Sequence, residues 1–259
     1  MILTVDIGNT NIVFGIFQKE NLIADYRIYT NLDRTSDEYS FILNQILFQN
    51  NIIPQKFSGA IISSVVPRVS QKIKTACRLS LNISPILINT KTNSGVTINI
   101  DNPNELGSDF IAASAAIIIK YPLPSIVIDL GTATKIFAID ENKAFLGTSI
   151  TAGVSTSLDA LAKHAAQLPN ISIKERPPII GKNTIDSISS GIVYSTAGAI
   201  DALIDLYKEQ IGKISSIVAT GGISQDIIGH CKNNIILDKN LILYGLHHIY
   251  KREKNIITD

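Results

Sequence analysis

The chain has 259 residues, 45% apolar and 17% charged, with 23 Lys and Arg against 22 Asp and Glu. These proportions exclude a disordered chain, and a net charge of +1 without any block of like charges gives no field for a polyanion, so nucleic acid is not an expected partner. A charged fraction below the about 25% usual in globular chains, with a mean hydropathy of +0.23, leaves more apolar surface than one monomer usually hides and points to a subunit interface.

In chain order, residues 2–5 are a β-rich run ending at Asp6. After the turn Gly8-Asn9-Thr10-Asn11, β character resumes over 12–17, which predicts a hairpin. Thr35 with Glu38 makes a capping box, and Tyr39, Ile42, Leu43, Ile46 and Leu47 fall on one stripe of the helix it opens. A buried strand at 60–66 stopped by Pro67, a helix carrying Val69, Ile73 and Ala76, and a strand at 85–88 follow. Strands alternate with helices, the order of an α/β domain, and a helix over 103–120 closes the first half.

The pattern then repeats. Residues 126–128 form a β run ending at Asp129, turn through Gly131-Thr132-Ala133-Thr134 and continue as a strand at 136–139. A shift of 123 residues places Asp6 on Asp129 and Gly8 on Gly131, the mark of an internal duplication. Helices at 155–167 and 186–210, a strand at 217–219 and a helix at 241–251 fill the second half, so the expected domains are 1–118 and 119–259. Segments 89–104 and 168–182, rich in Asn, Pro and Thr, are the irregular stretches where a substrate site is expected. The longest apolar run, 110–119, is too short to cross a bilayer, and the first residues carry neither a basic start nor a small-residue cleavage site. Cys77 and Cys231 belong to no CxxC. The expectation is a cytoplasmic protein with no disulfide framework, no zinc site and no membrane partner.

In each half an Asp ends a hydrophobic strand and is followed by Gly and small hydroxyl or amide residues. Gly8 and Gly131 give a bare turn, so that N–H groups and the side chains of Asn9, Thr10, Asn11, Thr132 and Thr134 can face phosphate oxygens, with Asp6 and Asp129 holding a cation or water beside them. One such turn is more often only a hairpin; two in register favour the phosphate reading. Thr220-Gly221-Gly222, after the strand at 217–219, offers a third bare turn on which adenine or ribose can lie. Gly181-Lys182-Asn183-Thr184 is no P-loop, because Arg176 stands where the first glycine belongs, and no G-x-G-x-x-G follows a strand. His164, His230, His247 and His248 have no metal-ligand spacing and are expected at the surface or in packing. Asp109, in Gly107-Ser108-Asp109 at the start of an apolar helix, has two level readings. One is a helix-start acid favoured by the dipole; the other is a partly desolvated carboxylate that accepts a hydroxyl proton in phosphoryl transfer.

Two D-x-G-[NT]-x-[NT] turns and a late Gly-Gly turn resemble the acetate and sugar kinase/Hsp70/actin superfamily, which implies an α/β chain of two duplicated ribonuclease-H-like domains, the actin-like ATPase fold, with an interdomain ATP cleft. Over nearly its whole length the chain is similar to type III pantothenate kinases. The residues that carry this are Asp6-Ile7-Gly8-Asn9-Thr10-Asn11, Asn102-Pro103-Asn104-Glu105-Leu106-Gly107-Ser108-Asp109, Asp129-Leu130-Gly131-Thr132-Ala133-Thr134, Ala165-Ala166-Gln167-Leu168-Pro169, Ile180-Gly181-Lys182-Asn183-Thr184, Ser190-Gly191-Ile192 and Thr220-Gly221-Gly222.

The resemblance implies ATP-dependent phosphorylation of pantothenate to 4'-phosphopantothenate, the first step of coenzyme A biosynthesis, in a homodimer. It implies that Asp6, Ile7, Gly8, Asn9, Thr10, Asn11, Ile12 and Val13, with Thr132, contact ATP phosphates, and that Gly221 and Gly222 lie near the adenosine. Asp109 is then the proton acceptor. Asp129 holds potassium or ammonium, and magnesium is held indirectly through Asp6. Ile100, Gly107, Ser108, Asp109, Phe110 and Thr184 fall on the pantothenate side, Thr184 reaching from a neighbouring segment or subunit. The chain departs from the family pattern at Phe110, usually Arg, at Ile100, usually Tyr, at Lys135, where the turn usually ends Thr-Thr, and at Ala152-Gly153, usually Pro-Gly. Phe110 and Ile100 support one rival, a non-catalytic nucleotide-binding regulatory paralogue, and a superfamily kinase for another small hydroxylated substrate is a second; Asp109 and Thr184 argue against both.

Overall fold

The duplicated motif becomes a duplicated sheet in the computed structural model, which describes residues 1–164 and 176–257, the side chain of His164 excepted. The chain divides into one unit of Met1–Lys120 with Asn240–Asp259 and another of Tyr121–Lys239. In the first unit β1 (Ile2–Ile7), β2 (Asn11–Gln18) and β3 (Asn21–Tyr29) run antiparallel in turn, while β4 (Gly59–Ser64) lies parallel to β1 and β5 (Ile86–Leu87) parallel to β4. The order is β3-β2-β1-β4-β5. β6 (Thr97–Ile98) is a two-residue strand inside the irregular segment 89–104. In the second unit β7 (Ser125–Leu130), β8 (Ala133–Ile139), β9 (Ala144–Ala152), β10 (Ser216–Thr220) and β11 (Ile236–Leu237) repeat both the directions and the order, β11-β10-β7-β8-β9.

The helices follow the same logic. α1 (Ser36–Gln49) starts at the expected capping box, with Thr35 N donating to Glu38 Oε2 at 2.7 Å and Glu38 N donating to Thr35 Oγ1 at 3.2 Å. Tyr39, Leu43 and Leu47 of α1 and Val69, Ile73 and Cys77 of α2 (Pro67–Leu81) bury against Leu3, Val5, Ile7 and Phe14. The helix expected over 103–120 is broken: Pro103–Glu105 is a separate 3-10 turn closed by Leu106 N on Pro103 O, Leu106 is extended, and α3 is Ser108–Lys120. α4 (Val154–His164) covers the described part of the helix expected at 155–167. α5 (Thr184–Ile211) is long and apolar enough to span a bilayer by length and composition, but its Val193, Ala197, Ile200 and Ile204 fill the core of the second unit against Ile128, Leu130 and Ile136. α6 (Ser224–Ile228) follows β10.

The continuous halves read from the sequence, 1–118 and 119–259, differ from the observed units at the C-terminus. α7 (Leu241–Glu253) returns to the first unit and packs on α3 and β1. A side chain at Gly245 would put its Cβ 2.7 Å from Ala112 C, so glycine is what lets α7 reach the α3 backbone. β3, β9 and β11 complete the sheets and were not expected from the sequence.

Candidate active site

In the first unit the turn after β1 is stitched from behind by Thr30, whose Oγ1 donates to Gly8 O at 2.7 Å and whose N–H donates to Thr10 O at 2.9 Å, while Gly8 N donates to Asn11 O at 2.9 Å. Asn9 and Thr10 are exposed at its tip and Asp6 is half-buried at the strand end. Ile7 and Ile12 are core residues, each 0% exposed, so only their backbone is open to a nucleotide. Gly8 has no positive φ; it supplies an open surface rather than a left-handed turn.

Asp109 is fixed beside this turn by its neighbour. Ser64 N donates to Ser108 Oγ at 2.8 Å, and Ser108 Oγ donates to Ser64 O at 3.0 Å and lies 3.0 Å from Ser63 Oγ. Ser64 is the register partner of Ile7 across the parallel β1–β4 pair, and Val65 N donates to Ile7 O. The carboxyl ends of β1 and β4 and the first turn of α3 therefore share one edge, where open α/β sheets bind ligands. Ser108 is expected from the sequence on the pantothenate side; in the structure its hydroxyl is engaged with Ser63 and Ser64 of β4. Phe110 is buried, with its ring near Gly107, and Ile100 is half-buried.

In the second unit the turn is one residue shorter: Leu130 pairs with Thr134, whereas Ile7 pairs with Ile12. Thr132 is exposed, and its carbonyl accepts from Gly153 N at 3.1 Å and from Thr156 Oγ1 at 2.6 Å, which bolts the turn to the start of α4. Thr134, expected to face phosphate, is buried at 6% exposure on β8. Thr220 is the register partner of Asp129, and Gly221 adopts φ +102°, its position for a Cβ 2.6 Å from Leu130 C, so the third turn sits against the second.

Asp129 was expected to hold potassium or ammonium. Instead Lys135 Nζ lies 2.5 Å from its Oδ2, so the donor set does not fit a separate monovalent ion. Among the described residues no cluster of three or more His, Cys, Asp and Glu could hold a metal. Magnesium carried on substrate phosphates needs only one or two carboxylates and water, which Asp6 at the strand end fits.

Thr184 is the exposed first residue of α5, whose N-cap Asn183 accepts from Asp186 N at 2.9 Å; the Gly181–Thr184 motif is thus a helix start. Ser190 Oγ donates to Ile179 O and Tyr194 OH to Pro177 O, holding 177–180 on α5. The motif 165–169 lies outside the described residues. His247 stacks on Phe17 with centroids 4.3 Å apart, and His230 meets Tyr194 edge-on. In the sequence Lys135 and Gly153 stand out only as departures; their roles depend on cross-strand register and on contact between remote segments.

A family model described as type III pantothenate kinase matches residues 2–206. A type III pantothenate kinase of Exiguobacterium sp. is 36% identical over 254 residues, covering 98% of this chain and 100% of that protein. One from Listeria welshimeri is 38% identical, covering 98% of each. Among solved structures, the activator of the 2-hydroxyisocaproyl-CoA dehydratase from Clostridium difficile with bound ADPNP superposes with a TM-score of 0.59 at 15% identity, covering 100% of this chain and 98% of that one, and so shares the actin-like ATPase fold.

Proposed function

The chain belongs to the type III pantothenate kinase family and phosphorylates pantothenate with ATP in coenzyme A biosynthesis, and we propose that Asp109 is the base of that reaction. As the pantothenate hydroxyl oxygen attacks the γ-phosphorus, its proton passes to the Asp109 carboxylate and the bond to the ADP oxygen breaks. Phosphoryl transfer needs positioning, charge neutralisation and a base, and little else. In this reading residues 6–13 and Thr132 contact the ATP phosphates and Gly221 and Gly222 the adenosine. Asp6 would hold a magnesium ion at the strand end, and that ion would supply charge neutralisation to the phosphates. Gly107, Phe110, Ile100 and Thr184 line the pantothenate side.

The observation that carries the assignment is the Ser108–Ser64–Ile7 link, which fixes Asp109 at the edge where the Gly8 turn begins. We further propose a cytoplasmic homodimer. Ile179 and Ile180, 77% and 79% exposed, flank Thr184 and suit a second copy better than water. A coupled assay of ADP release, with and without pantothenate, tests the function: release is expected to depend on pantothenate. ATP bound by calorimetry but turned over no faster with pantothenate would replace the kinase by the regulatory paralogue.

A further inference from the structure

Lys135 stands directly opposite Asp129 across the β7–β8 hairpin, and both side chains are nearly buried, 16% and 13% exposed, with Nζ and Oδ2 2.5 Å apart. The matching position of the first hairpin, opposite Asp6, is Val13. The pair is therefore particular to the second turn and not a general feature of the motif. A lysine ammonium is a compact unit charge with three donors, chemically an alkylated ammonium ion. Being tethered on the neighbouring strand, it reaches Asp129 without loss of translational freedom, so a free monovalent cation has to displace a charge already in place.

We propose that Lys135 is the resident cation of the second phosphate turn. Its ammonium neutralises Asp129 and sets one positive charge beside Gly131 and Thr132, so that pantothenate-dependent turnover needs no added potassium or ammonium. The proposal rests on the pantothenate kinase reading, and its test separates the two. Turnover is measured for the wild type, Lys135→Thr and Lys135→Arg in choline chloride and in potassium or ammonium chloride at one ionic strength. Thermal unfolding is followed in the same salts with a non-hydrolysable ATP analogue.

The wild type is expected to run within about twofold in choline and potassium, since general screening is the same in both. Lys135→Thr removes the tethered charge but keeps Asp129. It is expected to fall about tenfold or more in choline, as for loss of one preorganised charge, to recover with potassium or ammonium, and to gain a potassium-specific rise in unfolding temperature that the wild type lacks. Lys135→Arg keeps the charge and stays independent of added cation. Wild-type turnover stimulated tenfold or more by potassium over choline overturns the proposal, as does a Lys135→Thr enzyme as fast in choline as the wild type. The wild-type comparison decides even if that variant does not fold. Should no salt give pantothenate-dependent turnover, the functional reading fails, and the unfolding temperatures still decide whether the second turn takes a free cation.

Discussion

Replacing Gly153 by Ala adds one methyl group at the joint between the second turn and α4. Its Cβ would stand 2.5 Å from Thr132 O and 2.7 Å from Thr132 C, and close on Gly131 O, all backbone atoms that no rotamer change can move aside. Contact at about 3.5 Å requires the two segments to part by about 1 Å. Overpacking of this kind costs about 1–3 kcal/mol, and the strained Gly153 N–H to Thr132 O bond adds about 1 kcal/mol. A loss of about 2–4 kcal/mol in the second unit lowers the unfolding temperature by about 4–16 °C, at about 2–4 °C per kcal/mol for a chain of this size. The same displacement misplaces the turn that Thr132 presents to phosphate, and a 1 Å error in a positioned group costs up to about a hundredfold in rate. Thermal unfolding, calorimetric titration with a non-hydrolysable ATP analogue and steady-state kinetics measure these together. Gly198→Ala, in α5 with nothing within 4 Å of the added Cβ, is the control and is expected to be neutral or to stabilise by up to about 1 kcal/mol. Wild-type unfolding temperature and wild-type ATP affinity in Gly153→Ala would refute the reasoning.

Asp109→Asn is expected to lower kcat by about a hundredfold or more with ATP affinity nearly unchanged, the range for loss of a general base; near wild-type turnover would make Asp109 a helix-start acid only. Burial of His247 against Phe17 holds its imidazole pKa below the ordinary value, outweighing the opposing pull of Glu20, so the folded chain resists a proton that the unfolded chain accepts. Stability is therefore unaffected by this group above about pH 6.5 and falls as the pH drops through and below that value. Urea unfolding at pH 7.5 and pH 5.5 should show a smaller loss in His247→Gln than in the wild type, and equal losses would remove His247 as the cause.

Much of the candidate site was legible because it is written in neighbouring residues. Asp6 with Gly8 and Asp129 with Gly131 are strand-end acids one turn from a glycine, and their repetition in the chain announces the repeated sheet that follows. The capping box at Thr35 and Glu38 is likewise local, and it starts α1 where the sequence puts it. What escaped were features that need a remote partner. β3 and β9 exist as strands because the hairpins before them offer an edge. α7 belongs to the first unit because Gly245 lets it meet Ala112, more than a hundred positions away. Lys135 shows the reason most sharply. Shifting the sequence by 123 residues aligns it with Ile12, a core side chain, but the second turn is one residue shorter, and a one-residue change of register sends a strand's side chains to the opposite face. Composition and motif determined the family, the fold and the positions of the turns; only pairing in three dimensions decided that the charge beside Asp129 is carried by the chain itself.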